Sequence, residues 1–115
     1  MARIAYVNGQ YVPHRNAAVH VEDRGYQFAD GVYEVFAIMG GKLIGEQVHW
    51  ERLAHSLSEL RIKWPLSRAA LMVAVKEIVR RNHVRDGLVY LQVTRGVAPR
   101  DAALHALWRD KPACA

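Results

Sequence analysis

Two glycine turns constrain this chain more than any other feature of its sequence. Asn8-Gly9 and Gly40-Gly41 each separate two short runs rich in β-branched and aromatic residues. Such two-residue turns connect antiparallel strands, because glycine and asparagine adopt the positive φ angles that the tightest hairpins need. The sequence therefore predicts two hairpins, with strands over residues 3–7 and 10–12 and over residues 32–39 and 42–44.

Two helices and one more strand are predicted after the second hairpin. In residues 46–61 apolar side chains recur with the spacing of an amphipathic helix. Pro65 interrupts this pattern, and Ser67 is a typical N-cap for a second helix. Residues 88–94 have the composition of a strand, whereas residues 14–31 are expected to be irregular. This order predicts an α+β fold, in which an antiparallel sheet has two adjacent helices packed on one face.

The composition is that of one soluble globular domain. The chain has 115 residues, 51% of them hydrophobic and 23% charged, which is enough for one core and too short for two ordinary domains. Its longest apolar run, Ala69 to Val75, is far shorter than the roughly 18 residues that cross a bilayer, and no signal peptide is recognised. A lone cysteine, Cys114, forms no internal disulfide. We therefore expect a cytoplasmic protein without membrane contact.

The net charge of +5 permits binding to nucleic acid or to small anions but establishes neither. One basic cluster lies near the end of the second predicted helix. No aromatic side chains are interleaved with it, and cations are favourable at the negative end of a helix, so we predict no nucleic-acid partner. The cluster comprises Lys76, Arg80, Arg81 and Arg85.

General catalytic motifs are absent from the sequence. It contains no phosphate-binding loop, dinucleotide fingerprint, nucleophile elbow or zinc-binding helix motif. His49 and His55 are six residues apart, which does not place them on one helix face, so no metal site is predicted. Asp30 and Glu34 flank the start of a strand, and we interpret such a pair as structural.

One segment carries a more specific signal. Residues 22–35 read EDRGYQFADGVYEV, and they closely resemble the signature of the class IV, or fold type IV, pyridoxal-phosphate-dependent aminotransferases. Three other stretches are similar to that family in order and spacing: YVNG at 6–9, HWERL at 49–53 and YLQVTRGVAPR at 90–100. The resemblance is to the D-amino acid transaminases, because branched-chain aminotransferases and aminodeoxychorismate lyases usually carry His-Tyr-Gly where residues 26–28 read Tyr-Gln-Phe.

This resemblance implies the fold of the family's small N-terminal domain. It also implies transfer of an amino group between a D-amino acid and a 2-oxo acid, with pyridoxal 5′-phosphate as carrier, in a homodimer. A branched-chain aminotransferase or an aminodeoxychorismate lyase is the alternative within the same fold. A non-catalytic basic binding module is the alternative from another class.

The resemblance also implies roles for four residues. Arg52 matches an arginine that grips the cofactor phosphate, for which a planar guanidinium is well suited. Tyr33 and Arg100 match residues that hold the substrate α-carboxylate, and Val35 lines the substrate pocket. If Arg52 and Tyr33 only contact ligands, replacing either should change the stability of the domain by no more than about 0.5 kcal/mol.

The sequence departs from the family towards its C-terminal end. Similarity extends to about residue 100, residues 101–115 diverge, and Ala102 replaces a histidine of the carboxylate site. None of the four lysines matches the Schiff-base lysine, so no catalytic residue is assigned. We therefore expect residues 1–115 to form a single domain without the C-terminal lysine domain, and we expect an inactive truncated fragment.

Overall fold

The first hairpin forms a small sheet of its own. In the computed structural model, which describes residues 3–98, strands β1 (Ile4–Val7) and β2 (Gln10–Pro13) pair antiparallel across Asn8-Gly9. The two turn residues have φ angles of 50° and 88°, as a tight hairpin requires. The predicted hairpin is confirmed, and Pro13 is the last residue of β2.

Residues 14–31 are more regular than expected. They contain a 3-10 turn at His14–Asn16 and a short helix, α1 (Arg24–Phe28). The side chain of Asp23 caps α1 by accepting a hydrogen bond of 2.8 Å from the backbone N–H of Gly25. The prediction of an irregular segment was wrong here, because a five-residue helix is too short to show a hydrophobic period.

The second sheet has strand β3 (Gly31–Met39) at its centre. Strands β4 (Lys42–Ile44) and β5 (Gly87–Thr94) flank β3, and both pair with it antiparallel. The predicted antiparallel pairing is confirmed, although the strands form two sheets where one was expected. Alternation along β3 buries Glu34 and leaves Tyr33 exposed.

Two long helices cover one face of this second sheet. Helix α2 (Glu46–Leu60) and helix α3 (Arg68–Arg81) lie where they were predicted, and Ser67 caps α3 by accepting a hydrogen bond from Ala70 N. Among the described residues, no helix is long and apolar enough to span a membrane. The core between helices and sheet includes the buried side chains of Phe36, Trp50, Leu53, Leu57, Leu71, Val75, Leu91 and Val93.

The first hairpin is attached to the rest of the molecule through α3. Asn82, at the C-terminal end of α3, accepts a hydrogen bond from Ile4 N at 2.8 Å and donates one to Ile4 O at 3.0 Å. The guanidinium of Arg81 lies over the Tyr11 ring at 4.1 Å. A side-chain amide therefore links β1 to the end of α3.

Candidate functional site

A buried carboxylate lies at the centre of the candidate site. Glu34 projects from the middle of β3 towards α2, and only 5% of its side chain is exposed. Burial of an unpaired carboxylate is costly, so its partners matter. Arg52 supplies most of them, because its Nε donates to both carboxylate oxygens, at 3.2 and 3.0 Å, and its Nη2 donates to Oε1 at 2.8 Å.

His49 contacts the same carboxylate from the preceding turn of α2. Its Nδ1 lies 2.7 Å from Glu34 Oε1 and 3.3 Å from Arg52 Nη2. His49 and Arg52 are three residues apart, which places both on the helix face that meets β3. The His49 ring also packs against the buried Phe36 ring, with centroids 4.8 Å apart.

The electrostatics of the cluster favour the charged forms of Glu34 and Arg52. Burial alone would raise the pKa of Glu34, but hydrogen bonds and charge from Arg52 and His49 outweigh burial and lower that pKa below its ordinary value. Glu34 in turn raises the pKa of Arg52, with a smaller contribution from Tyr33. The carboxylate and the guanidinium therefore form an ion pair at neutral pH.

The guanidinium of Arg52 is bound to Glu34 along one edge, and its other edge is accessible. Its side chain is 59% exposed, although the carboxylate that holds it is buried. Among residues 3–98, Nη1 of Arg52 has no hydrogen-bond partner, so two N–H groups point away from Glu34 and can donate to another anion. A guanidinium in this state fits a phosphate group, which accepts hydrogen bonds from a planar fork.

Tyr33 and Val35 lie on the opposite face of β3 from Glu34. The Tyr33 ring stacks on the Tyr90 ring of β5, with centroids 5.7 Å apart and planes 16° apart. The Tyr90 hydroxyl donates to Gln92 at 2.9 Å, whereas within the described part of the chain the Tyr33 hydroxyl has no hydrogen bond. Tyr33 is exposed and Val35 is half-buried, so this face has an accessible hydroxyl beside an apolar side chain.

The structure brings together some of the predicted site residues. Tyr33 and Val35 share one face of β3, whereas Arg52 is held by Glu34 on the other face. Arg100 lies outside the described residues. The assignments of these four residues as ligand-binding residues remain predictions. Sequence reasoning missed Glu34 as the anchor of Arg52, because the two residues are 18 positions apart and meet only when α2 packs on β3.

Asp30 belongs to a separate buried network. Its Oδ2 accepts hydrogen bonds from Arg24 Nε at 3.0 Å and from Arg95 Nε at 2.8 Å. The Arg95 side chain is fully buried and also donates to the backbone oxygens of Leu60 and Arg61. Asp30 and Glu34 therefore do not act as a carboxylate pair, since they bind different arginines. The Asp30 network ties the end of β5 to the end of α2.

Three residues of the basic cluster have acidic partners within the chain. Glu77 accepts hydrogen bonds from Arg80 and Arg81, which together lower the pKa of Glu77 to about 2. Lys76 Nζ lies 3.5 Å from Glu46. Within the part of the chain that the structure describes, no group of three or more His, Cys, Asp or Glu side chains is placed to hold a metal ion.

A cavity of about 480 Å³ lies elsewhere in the molecule, between β1, β5 and α3. Its lining is mainly apolar and includes Leu71, Ile78 and Leu91. Neither Arg52 nor Tyr33 lines it, so it is separate from the Glu34–Arg52 cluster.

Comparison with known proteins identifies a family and several relatives. A family model described as "Amino-transferase class IV" matches residues 31–113. The D-alanine aminotransferase of Bacillus licheniformis is 50% identical over 93 residues, which cover 81% of this chain and 33% of that protein. The D-alanine aminotransferase of Listeria monocytogenes serotype 4b (strain F2365) is 43% identical over 107 residues, covering 92% of this chain and 36% of the relative. The chain thus spans about a third of the length of these curated relatives.

Solved structures share the fold. A branched-chain amino acid aminotransferase from T.th., solved with pyridoxamine 5′-phosphate, has a TM-score of 0.83 and 24% identity, over 99% of this chain and 38% of that one. A 4-amino-4-deoxychorismate lyase from Pseudomonas aeruginosa has a TM-score of 0.66 and 32% identity, over 85% of this chain and 33% of that one. The predicted α+β fold, like that of a fold type IV N-terminal domain, is confirmed.

Proposed function

The chain belongs to the class IV aminotransferases, and from that premise we propose that it forms the part of a D-alanine-type aminotransferase that holds the cofactor phosphate and faces the amino acid substrate. The activity is transfer of an amino group between a D-amino acid and a 2-oxo acid. The curated relatives named D-alanine aminotransferase support this choice of substrate. The residues Tyr26, Gln27 and Phe28 support it over the branched-chain and lyase alternatives of the same fold.

The geometry of Arg52 is the observation that carries this proposal. Pyridoxal 5′-phosphate, when bound, supplies an electron sink for the transfer of an amino group. Arg52 would hold its phosphate, because the guanidinium is fixed by Glu34 on one edge and free to donate on the other. A charge-assisted hydrogen bond from such a preorganised arginine binds a phosphate with defined direction.

The outer face of β3 would receive the amino acid. Tyr33 presents an exposed hydroxyl that can donate a hydrogen bond to a substrate carboxylate, and Val35 provides apolar contact beside it. Arg100 would complete the carboxylate site in a homodimer. This arrangement separates the anion of the cofactor from that of the substrate, because Arg52 and Tyr33 project from different elements.

A chimaera tests the proposal directly. Residues 1–98 replace the matching segment of the Bacillus licheniformis D-alanine aminotransferase, and pyruvate formation is measured with D-alanine and 2-oxoglutarate. We expect D-alanine transamination, with weaker retention of pyridoxal 5′-phosphate in the Arg52→Ala chimaera. A folded chimaera that transaminates L-leucine but not D-alanine would show that the branched-chain alternative is correct.

A further inference from the structure

We propose that Glu34 and His49 are positioning residues, which hold the Arg52 guanidinium in the one orientation that leaves its outer edge free for a phosphate. The inference rests on the proposed function of Arg52 and names the two residues through which that function is achieved. Neither residue needs to touch the phosphate itself.

The exposed position of Arg52 makes such positioning necessary. An arginine on a helix surface samples many rotamers, and ordering it on binding costs affinity. Here three hydrogen bonds of 2.8–3.2 Å to Glu34 order the guanidinium before any ligand arrives. The Nε and Nη2 groups are both used in this fork, so the plane of the guanidinium is fixed as well as its position.

The position of Glu34 is itself fixed by the sheet. It lies near the middle of β3, where β3 pairs with β5 and Glu34 is opposite Leu91. Its carboxylate is buried, so exchange of its partners for water is restricted. The location of Arg52 is therefore set by the central strand of the sheet, although α2 carries the residue.

His49 holds the carboxylate in turn. Glu34 Oε1 lies 2.7 Å from His49 Nδ1 and, as a carboxylate oxygen, accepts, so Nδ1 is the donor of this contact. The contact with Phe36 restricts rotation of the ring. Oε1 therefore accepts from both His49 and Arg52, and rotation of the carboxylate would break both contacts.

If only charge mattered, removal of Glu34 would change phosphate affinity in the opposite direction from the one that positioning predicts. A negative charge beside Arg52 repels an incoming phosphate, so its removal should tighten anion binding if only charge matters. If positioning dominates, its removal should weaken anion binding, because the guanidinium becomes mobile. The sign of the change distinguishes the two.

The experiment uses the 115-residue chain, labelled with ¹⁵N and titrated with inorganic phosphate. The Nε–H resonance of Arg52 reports binding, and Arg52→Ala identifies its signal. We expect Glu34→Gln to weaken phosphate binding about fivefold, the equivalent of one hydrogen bond. The matched control is Glu77→Gln, which removes the same charge from the exposed pair with Arg80 and should leave phosphate affinity unchanged or slightly tighter.

The outcomes separate the two proposals. Phosphate binding that shifts the Arg52 signal in the wild type but is unchanged or tighter in Glu34→Gln would overturn the positioning inference alone. No response of Arg52 to phosphate in the wild type would overturn the phosphate role of Arg52, and the inference with it. If Glu34→Gln does not fold, His49→Phe takes its place. That variant keeps the packing on Phe36 and should still speed hydrogen exchange at Arg52 Nε and weaken phosphate binding, and unchanged values would contradict the inference.

Discussion

Arg52 donates from both Nε and Nη2 to the carboxylate of Glu34, so an exposed arginine neutralises a buried acid. The arginine side chain is 59% exposed and the glutamate side chain 5% exposed. An assignment of Arg52 as a ligand residue alone predicts a negligible effect of its removal on stability. The pair with Glu34 changes that expectation, because removal of one partner leaves an uncompensated buried charge.

The first prediction is that Arg52→Ala destabilises the domain. The buried carboxylate of Glu34 then keeps only His49 as a partner, and an under-partnered buried carboxylate costs about 1–3 kcal/mol of the free energy of unfolding. Urea unfolding measures this change. The control is Arg80→Ala, which breaks an exposed pair with Glu77 and should leave stability close to that of the wild type. Equal losses in the two variants would contradict the special role of the Glu34 pair.

The second prediction concerns Tyr33. Tyr33→Phe should leave the free energy of unfolding within about 0.5 kcal/mol of wild type, because the hydroxyl has no partner in the described part of the chain and the ring keeps its stacking on Tyr90. In the chimaera the same change should raise KM for D-alanine by a factor that corresponds to the free energy of roughly one hydrogen bond to a carboxylate. An unchanged KM together with a lower melting temperature would make Tyr33 a structural residue.

The long elements could be predicted from the sequence because each carries its own local signal. Helix α2 has a clear apolar stripe, and α3 also begins at a recognisable cap, Ser67. The hairpin turns have the residues that positive φ angles demand. Helix α1 was missed because its signal is a single cap residue, Asp23, before only five helical residues.

The partners within the site were less predictable for a different reason. Residue types and the family resemblance singled out Arg52, but its anchor depends on how far α2 is rotated on the sheet. The same holds for Asp30, which meets Arg95 only because β5 returns beside β3. Contacts between residues distant in sequence follow from packing, and the periodicity of a single sequence gives no direct information on them.

The third prediction is that acid weakens the domain through its paired carboxylates, Glu34 and Asp30 among them, in addition to the exposed pair of Glu77 with Arg80. Burial raises the pKa of Glu34 and of Asp30, but their arginine partners lower both below the ordinary values of 4.5 and 3.8. Between native and ordinary pKa values the unfolded chain binds more protons, so stability is complete above the ordinary values and falls as the pH drops through the native ones. Urea unfolding at decreasing pH should show this loss. Glu34→Gln should make the free energy of unfolding fall less steeply with decreasing pH. An unchanged pH dependence would exclude Glu34 as a cause of the loss.

The fourth prediction is that the chain associates through the outer face of β3 and β5. Tyr33, Met39, Leu88 and Tyr90 lie on this face and are each 59–69% exposed. A contiguous apolar surface of this kind drives association. Light scattering should rise with concentration, and Leu88→Ser combined with Tyr90→Ser should reduce it. Val73→Ser is the control, because Val73 is equally exposed but lies on α3, and an equal reduction there would exclude a specific face.

The last prediction is that the 115-residue chain alone does not transaminate D-alanine. Transfer of the amino group needs an amine that holds the cofactor and moves the substrate α-proton. Lys42 and Lys63 are exposed, and Lys76 is paired with Glu46. None of these three contacts Glu34 or Arg52 within residues 3–98, and Lys111 lies outside the described residues. Incubation with D-alanine, 2-oxoglutarate and pyridoxal 5′-phosphate should therefore yield no enzymatic pyruvate, whereas the chimaera should produce it under the same conditions. Turnover by the isolated chain that survives repurification would contradict this prediction.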